Sequence, residues 1–128
     1  MSVCKYNLFI NLFIIDDEEL IRVITTITLE KNGYTTITVV DDAEGKAIYA
    51  QRKDEIEAVL LDMMMPVMDG YACIKALRKI NPAVKIIGTS GLGQNGKHPE
   101  IANKANSFLI KPFTTEKLLG ALRDILSS

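Results

Sequence analysis

The sequence predicts an α/β fold with a doubly wound parallel sheet, and three observations support this prediction. Short runs rich in Ile, Val and Leu alternate with longer segments of helical period, which is typical of a parallel sheet covered by helices on both faces. The length of 128 residues suits one domain with one hydrophobic core. Apolar residues make up 48% of the chain and charged residues 24%, as in an ordinary globular domain.

Five strands are predicted from the apolar runs. They lie at about 10–15, 35–40, 58–61, 84–89 and 107–110. Parallel strands joined by right-handed crossovers give a flavodoxin-like (βα)₅ sheet in the order 2-1-3-4-5. The ligand crevice of such a sheet lies outside the carboxyl ends of strands one and three, so we expect the functional site there.

Helical spacing of apolar residues predicts a helix after each strand. The first helix ends near Asn32-Gly33, and a fourth, weakly patterned helix is expected near 100–105. Asp42 is expected to cap the second helix, and Thr114 or Thr115 begins the last one. The residues expected to face the core are Leu20, Val23, Ile24 and Ile27 in the first helix; Ala43, Ala47, Ile48 and Ala50 in the second; Cys73, Ala76, Leu77 and Ile80 in the third; and Leu118, Leu122, Ile125 and Leu126 in the last.

Composition excludes several classes of protein. Residues 1–9 are interpreted as a leader or linker, and 10–127 as the domain. The apolar run at 8–15 is too short to cross a bilayer and lacks a signal-peptide cleavage site, so we expect no membrane insertion. A net charge of −1 argues against direct binding of nucleic acid. Cys4, Cys73 and His98 form no zinc or disulfide pattern, which favours a cytoplasmic location.

Three carboxylates are expected to meet at the crevice, because Asp16-Asp17 follow strand one and Asp62 ends strand three. Close like charges repel one another unless a cation neutralises them, and hard oxygen ligands suit a largely hydrated Mg²⁺. The alternative is that these acids are solvated residues at the starts of helices, where Asp and Glu are common.

Two further strands bring polar groups to the same edge. Strand five ends at Lys111-Pro112-Phe113, and strand four ends at Thr89-Ser90-Gly91. A lone lysine is usually solvated, and Ser with Gly is typical of a simple turn. Together, however, the acids, a hydroxyl and a lysine provide a nucleophile, charge neutralisation and hydrogen-bond donors, which is what phosphoryl transfer requires.

Four motifs in this order resemble the receiver domain of two-component response regulators, from about residue 10 to 127. They are Ile14-Ile15-Asp16-Asp17-Glu18-Glu19, Leu60-Leu61-Asp62-Met63-Met64-Met65-Pro66-Val67-Met68-Asp69-Gly70, Ile86-Ile87-Gly88-Thr89-Ser90-Gly91 and Phe108-Leu109-Ile110-Lys111-Pro112-Phe113. The family implies a phosphoacceptor that is loaded by a histidine kinase or a histidine phosphotransfer protein. It also implies a downstream effector or attached domain that reads the face formed by strand four, the next helix and strand five.

The resemblance assigns a role to each site residue. Asp62 is similar to the phosphoacceptor, and Lys111 to the counter-ion of the phosphoryl group. Asp17, Asp62 and the backbone carbonyl of Met64 are the implied Mg²⁺ ligands, with Asp16 acting through a water. Ser90, preferred over Thr89 because the small Gly91 follows it, matches the hydroxyl that binds the phosphoryl group. Phe108 matches the switch aromatic.

The resemblance implies a domain that catalyses its own phosphorylation without being a turnover enzyme by itself. Met64 and Leu92 occupy two variable positions flanking the site, and neither can orient an attacking water. We therefore expect slow loss of the phosphoryl group. The residues at 89–92, together with the segment from Lys111 to Leu119, most resemble receivers attached to hybrid sensor histidine kinases.

The same sequence offers three other interpretations. The run from Gly91 to Gly96 fits the pattern of a dinucleotide-binding loop but follows the fourth strand, so we expect a surface loop. An aspartate-nucleophile phosphatase would need a second acid where Met64 stands. A phosphorylation-independent interaction module with the same fold is the remaining alternative, although the five site positions are all present.

Overall fold

The computed structural model describes residues 10–65, 69–91 and 105–127. Five strands and four helices follow one another in these ranges. They are β1 (Ile10–Ile15), α1 (Glu19–Lys31), β2 (Tyr34–Val39), α2 (Asp42–Arg52), β3 (Ile56–Asp62), α3 (Gly70–Ile80), β4 (Ile86–Ser90), β5 (Ser107–Ile110) and α4 (Thr115–Leu126). The predicted bounds of β1 and β5 are confirmed, and the other strands begin or end within about three residues of prediction.

The strands form one parallel sheet in the order β2-β1-β3-β4-β5, which confirms the predicted flavodoxin-like topology. In the central register, Ile14 pairs with Leu60, and Leu60 pairs with Ile87. Because all strands run the same way, their carboxyl ends meet at one edge of the sheet. Asp62 pairs with Thr89 at that edge.

Two hydrophobic cores lie on opposite faces of the sheet, as expected for doubly wound packing. The core beneath α2 and α3 includes Phe13, Ile15, Val39, Tyr49, Leu61, Cys73 and Leu77. The core beneath α1 and α4 includes Leu12, Ile14, Leu29, Leu60, Leu118 and Leu122. Cys73 is 1% exposed, so its prediction as a buried small apolar residue is confirmed, and burial raises the pKa of its thiol to about 11.

The prediction for the core-facing side of α1 is wrong. Leu20, Val23, Ile24 and Ile27 are exposed, while Thr25 and Leu29 are buried. The spacing of the four aliphatic residues identified a helix correctly, but periodicity alone does not say which side faces the sheet. The helix ends where predicted, with Asn32 as its C-cap and Gly33 at a φ of 92°, where a glycine is favoured.

Two predictions for α2 are also wrong. Ala43, Ala47 and Ala50 are exposed, and the residues of this helix that lie buried are Gly45 and Tyr49. A Cβ at position 45 would lie 2.8 Å from Cδ1 of Ile15, so glycine permits the helix to approach β1 closely. The N-cap is Asp41 rather than Asp42, because Oδ1 of Asp41 accepts from the N–H of Glu44.

Several sequence predictions lie outside the described residues. They concern the leader at 1–9, most of the helix near 100–105, the role of Leu92, and most of the glycine-rich run at 91–96.

Among the helices of the described ranges, none is long and apolar enough to span a bilayer. The prediction for α4 is confirmed at its start, where Oγ1 of Thr114 accepts from the N–H of Lys117.

Candidate functional site

Three carboxylates meet at the carboxyl edge of the sheet. Asp16 directly follows β1, Asp17 is its neighbour, and Asp62 is the last residue of β3. One carboxylate oxygen from each lies within 4.8 Å of the others. Asp16 and Asp62 are buried, at 3% and 4% exposure, whereas Asp17 is exposed. We call these three residues the acidic cluster; the structure brings them together as the topology predicted.

Lys111, directly after β5, provides the positive charge beside this cluster. Its Nζ lies 3.2 Å from Oδ2 of Asp16, 3.6 Å from Oδ2 of Asp62 and 3.9 Å from Oε1 of Glu18. The backbone N–H of Lys111 donates to the carbonyl of Ser90 at 2.6 Å, which continues the β4–β5 pairing to the site. The ammonium group therefore contacts two buried carboxylates that would otherwise repel each other.

The two buried carboxylates are oriented in the same way. Oδ1 of Asp16 accepts from the N–H of Glu18 at 2.9 Å, and Oδ1 of Asp62 accepts from the N–H of Met64, also at 2.9 Å. These hydrogen bonds, each to a backbone N–H two residues ahead, fix both side chains against the turns that follow their strands. The second oxygen of each carboxylate, Oδ2, faces the ammonium group of Lys111.

Burial raises the pKa of Asp62 from 3.8 to about 6, and the neighbouring charges of Asp16 and Asp17 act in the same direction. The N–H of Met64 and the charge of Lys111 act against this rise. Asp62 is thus a carboxyl group whose charged form the protein makes costly, and added positive charge would stabilise that form. Perturbed acids of this kind concentrate at functional sites.

The donor set of the acidic cluster fits a hard divalent cation. Oxygens that lie within 4.8 Å of one another can share one ion, and the exposed side of Asp17 gives that ion a route from solvent. In proteins, Mg²⁺ is ordinarily bound by a few protein ligands and keeps several of its waters. Lys111 balances only part of the negative charge of three acids, which leaves the cluster attractive to a cation.

Both hydroxyl residues at the end of β4 are buried, with Thr89 at 4% and Ser90 at 3% exposure. Thr89 lines the same cleft as Asp62 and Lys111. Because successive residues of a strand point to opposite faces, Ser90 belongs to the other face. The Ser90 hydroxyl donates to the carbonyl of Gly91 at 3.4 Å, a long contact that leaves it available to a better partner.

Phe108 lies on β5 opposite Gly88, and its half-buried ring packs against the core beneath α2 and α3. A Cβ at position 88 would lie 3.1 Å from Cδ1 of Phe108 and 3.3 Å from Cγ of Met63. Gly88 therefore lets the ring and the residue after Asp62 pack close together. Met64, at the rim of the site, is 41% exposed.

Sequence reasoning missed two residues around the cluster. Nη1 of Arg22 donates to the backbone carbonyl of Asp16 at 2.9 Å, and Glu18 approaches Lys111. The signal for Arg22 was its place about one turn into the helix that follows the acid pair. It was overlooked because an arginine on a helix is usually a solvated residue.

Comparisons with known proteins find similar chains. Residues 12–123 match the model of the response regulator receiver domain. The chemotaxis protein CheY of Bacillus subtilis is 27% identical over 117 residues, which cover 91% of this chain and 97% of CheY. The sensor kinase CckA of Brucella abortus is 29% identical over 114 residues, but these cover 88% of this chain and only 12% of CckA.

A solved structure is similar at the level of the backbone. A chain in the crystal structure of the CheX–CheY–BeF3–Mg²⁺ complex from Borrelia burgdorferi superposes with a TM-score of 0.83 at 27% identity. The match covers 91% of this chain and 88% of that chain. The similarity of the backbone therefore extends over most of the chain, and the family match at residues 12–123 includes Asp16, Asp17, Asp62 and Lys111.

Proposed function

Because the chain belongs to the response regulator receiver domains, which act in two-component signal transduction, we propose that it takes a phosphoryl group from a phosphohistidine onto Asp62. Receiver domains as a family work with histidine kinases or phosphotransfer proteins and with effector domains. The observation that carries the proposal is the position of Asp62, which is buried, lies within 4.8 Å of two further carboxylates and is 3.6 Å from Nζ of Lys111.

The transfer uses Asp62 as a nucleophile. A carboxylate oxygen attacks the phosphorus, the P–N bond breaks, and the imidazole leaves with the electron pair of that bond. An acyl phosphate then stands on Asp62. The ammonium group of Lys111 stabilises the added negative charge, and the N–H of Met64 keeps the carboxylate fixed during attack.

Receiver domains bind Mg²⁺ at an acidic pocket, and the ion suits the donor set of this chain. We assign its ligands as Asp17, Asp62 and the backbone carbonyl of Met64, with Asp16 acting through a water. When bound, Mg²⁺ would supply positive charge to the phosphoryl oxygens. The CheY complex from Borrelia burgdorferi, which contains Mg²⁺ and BeF3, supports this assignment by the similarity of its backbone over most of the chain.

The signal would leave the site through β4 and β5. Ser90 would hydrogen-bond the new phosphoryl group, and Phe108 would turn inward as Ser90 moves. This would change the surface that β4 and β5 present, where an effector or attached domain would bind. The buried Ser90 and the half-buried ring of Phe108 support the assignment, because both belong to the same face of the sheet.

We also propose that residues 10–127 form the receiver domain, that 1–9 are a leader or linker, and that the protein lies in the cytoplasm. The match to 12% of a sensor kinase supports a place in a hybrid sensor histidine kinase, whereas the match to 97% of CheY supports a stand-alone regulator.

Intact mass spectrometry tests the phosphoacceptor role. The protein is incubated with acetyl phosphate and Mg²⁺, with a chelator in a parallel sample. The wild type should gain one phosphoryl adduct. This adduct should be absent from Asp62→Asn and from the sample that contains the chelator. Asp69→Asn is the matched control, because Asn can also accept the N–H bonds with which Asp69 caps α3. An adduct that persists in Asp62→Asn would place the phosphoryl group on another residue and overturn the role of Asp62. Absence of an adduct in the wild type would favour the phosphorylation-independent module.

A further inference from the structure

A small cavity borders Lys111 on the side of the sheet that α1 and α4 cover. Its apolar walls include Leu60 and Phe113, which pack in the core beneath those helices. Lys111, Asp16 and Asp62 also line it, so the cavity adjoins the acidic cluster. The cavity offers about 10 Å³ to the centre of a water molecule, which is the space that one ordered water needs. We call it the Lys111 cavity.

Two buried threonines line the Lys111 cavity. Thr25 on α1 is 6% exposed, and Thr89 on β4 is 4% exposed. Thr89 lies two residues after Ile87, a member of the core beneath α1 and α4, so its side chain belongs to the same face of the sheet. Thr25 lies one helical turn before Leu29, which packs in that core as well. The two threonines therefore border one space, one from a helix and one from the sheet.

The hydroxyl groups of these threonines lack protein partners. Among the described residues, neither Oγ1 of Thr25 nor Oγ1 of Thr89 makes a hydrogen bond. Burial of an unpartnered hydroxyl is costly, and most buried polar groups bind either a protein group or an ordered water. Valine has nearly the same shape and would pack against the apolar walls without that cost. The two hydroxyls therefore indicate a polar occupant of the cavity.

Lys111 supplies a third polar partner, because its ammonium group has three N–H donors. Nζ lies 3.2 Å from Oδ2 of Asp16, whereas its contacts with Asp62 and Glu18 are longer, at 3.6 and 3.9 Å. Only the first of these three distances is that of an ordinary hydrogen bond, so donor capacity remains for the cavity. A water there would accept from Nζ and donate to both threonine hydroxyls, and about three hydrogen bonds are typical of a buried water.

We propose that Thr25 and Thr89 hold one water in the Lys111 cavity, and that this water positions the ammonium group of Lys111 for phosphoryl transfer. The inference rests on the proposed function and adds two positioning residues to it. A lysine carries its charge on a flexible stem, so the groups around the ammonium must fix its position. The water would hold Nζ beside Asp62, where the phosphoryl group is added.

A high-resolution crystal structure of the protein in EDTA tests for the water directly. We expect density for one water within hydrogen-bond distance of Oγ1 of Thr25, Oγ1 of Thr89 and Nζ of Lys111. An empty cavity, or a water that contacts neither threonine, would overturn the proposal. This measurement depends neither on phosphorylation nor on a bound metal.

Replacement of each hydroxyl by a methyl group tests the positioning role. Labelling of Asp62 by phosphoramidate, a small P–N donor, should slow about tenfold in Thr25→Val and in Thr89→Val. Thr25→Ser and Thr89→Ser keep the hydroxyl and should label at the wild-type rate. Thr28→Val makes the same change at a half-buried position of α1 that does not line the cavity, and is the matched control.

Binding measurements separate a misplaced lysine from a damaged site. Lys111 would contact the phosphoryl group and not the ion, so both valine variants should bind Mg²⁺ alone with wild-type affinity. Their affinity for beryllofluoride in the presence of Mg²⁺ should fall about tenfold, in step with the labelling rate. Equal losses of affinity for Mg²⁺ and for beryllofluoride would indicate general damage to the site and would overturn the positioning role.

The remaining outcomes distinguish this inference from the proposed function. Labelling of the wild type, with unchanged rates in both valine variants, overturns the inference and leaves the phosphoacceptor role in place. A loss that Thr28→Val shares, or that serine does not restore, assigns the effect to packing and also overturns the inference. Absence of labelling in the wild type overturns the phosphoacceptor role, and a water seen in the crystal would then be a structural group.

Discussion

Nζ of Lys111 lies 3.2 Å from Oδ2 of Asp16, and only 19% and 4% of these two side chains are exposed. Removing one partner of a buried ion pair leaves the other charge uncompensated. We expect Lys111→Met in EDTA at pH 7 to lower the free energy of unfolding by about 2 kcal/mol, as urea titration would measure. Lys46→Met is the control, because its pair with Asp42 spans 4.0 Å at the surface. An equal loss in both variants would contradict the structural role of Lys111.

Asp62→Asn should stabilise the metal-free protein at neutral pH. Burial raises the pKa of Asp62 to about 6 from 3.8, so the folded state binds its proton more tightly than the unfolded state does. The stability that this proton contributes is present below pH 4 and is lost as the pH rises through about 6. The variant should therefore gain about 1–2 kcal/mol at pH 7 and much less at pH 4. Urea titrations in EDTA at both pH values measure the difference, and a gain that grew on acidification would refute it.

Met64 should make the phosphorylated state long-lived. Its exposed thioether stands at the rim of the site and has no group that can orient a water for attack on the acyl phosphate. Met64→Asn supplies such a group and should speed loss of the phosphoryl group about tenfold. Decay of the adduct after removal of acetyl phosphate gives the rate, with Met64→Leu as the control. Equal decay in all three proteins would count against this explanation.

The roles of Ser90 and Thr89 can be distinguished by the effect of each variant on Phe108. Thr89 lines the cleft with Asp62. Ser90 follows the alternation of β4 from Gly88, which pairs with Phe108, and so belongs to the face of the sheet that carries the ring. Addition of beryllofluoride and Mg²⁺ should shift the NMR signals of Phe108 in the wild type and in Thr89→Ser. We expect Ser90→Ala to reduce that shift, because it removes the hydroxyl that couples the site to the ring. A full shift in Ser90→Ala would remove Ser90 from the switch.

Replacement of two glycines by alanine should change the stability of the protein in opposite directions. A methyl group at Gly88 meets Cδ1 of Phe108 at 3.1 Å and should cost about 1–2 kcal/mol or displace the ring. A Cβ at Gly120, inside α4, would have only Nη2 of Arg123 within 4 Å among the described residues, at 4.0 Å. Gly120→Ala should therefore stabilise the protein by about 0.5–1 kcal/mol through helix propensity. Thermal unfolding of the two variants measures both changes. A Gly88→Ala protein as stable as the wild type would contradict the close packing of Gly88 against Phe108.

The sheet and the assembly of the acidic cluster could be predicted because each depends on local patterns in fixed order. Apolar runs located the strands, and parallel topology then required Asp16 and Asp62 to meet. The orientation of helices was less predictable. Ile24 and Thr25 are neighbours on α1, and only the packing of the helix against the sheet decides that the threonine is buried beside the cleft. The hydrogen bond between Arg22 and the carbonyl of Asp16 likewise depends on tertiary distance, which a pattern of residue types does not contain.

Under the proposed function, the carboxylate of Asp62 accepts the phosphoryl group. Borohydride reduction tests it most directly, because it converts an aspartyl phosphate to homoserine and so marks the residue that carried the group. After treatment with phosphoramidate and Mg²⁺, peptide mass spectrometry should find homoserine at position 62 and unmodified aspartate at positions 16 and 17. Homoserine at position 16 or 17, or a phosphoryl adduct that leaves position 62 unreduced, would contradict the account.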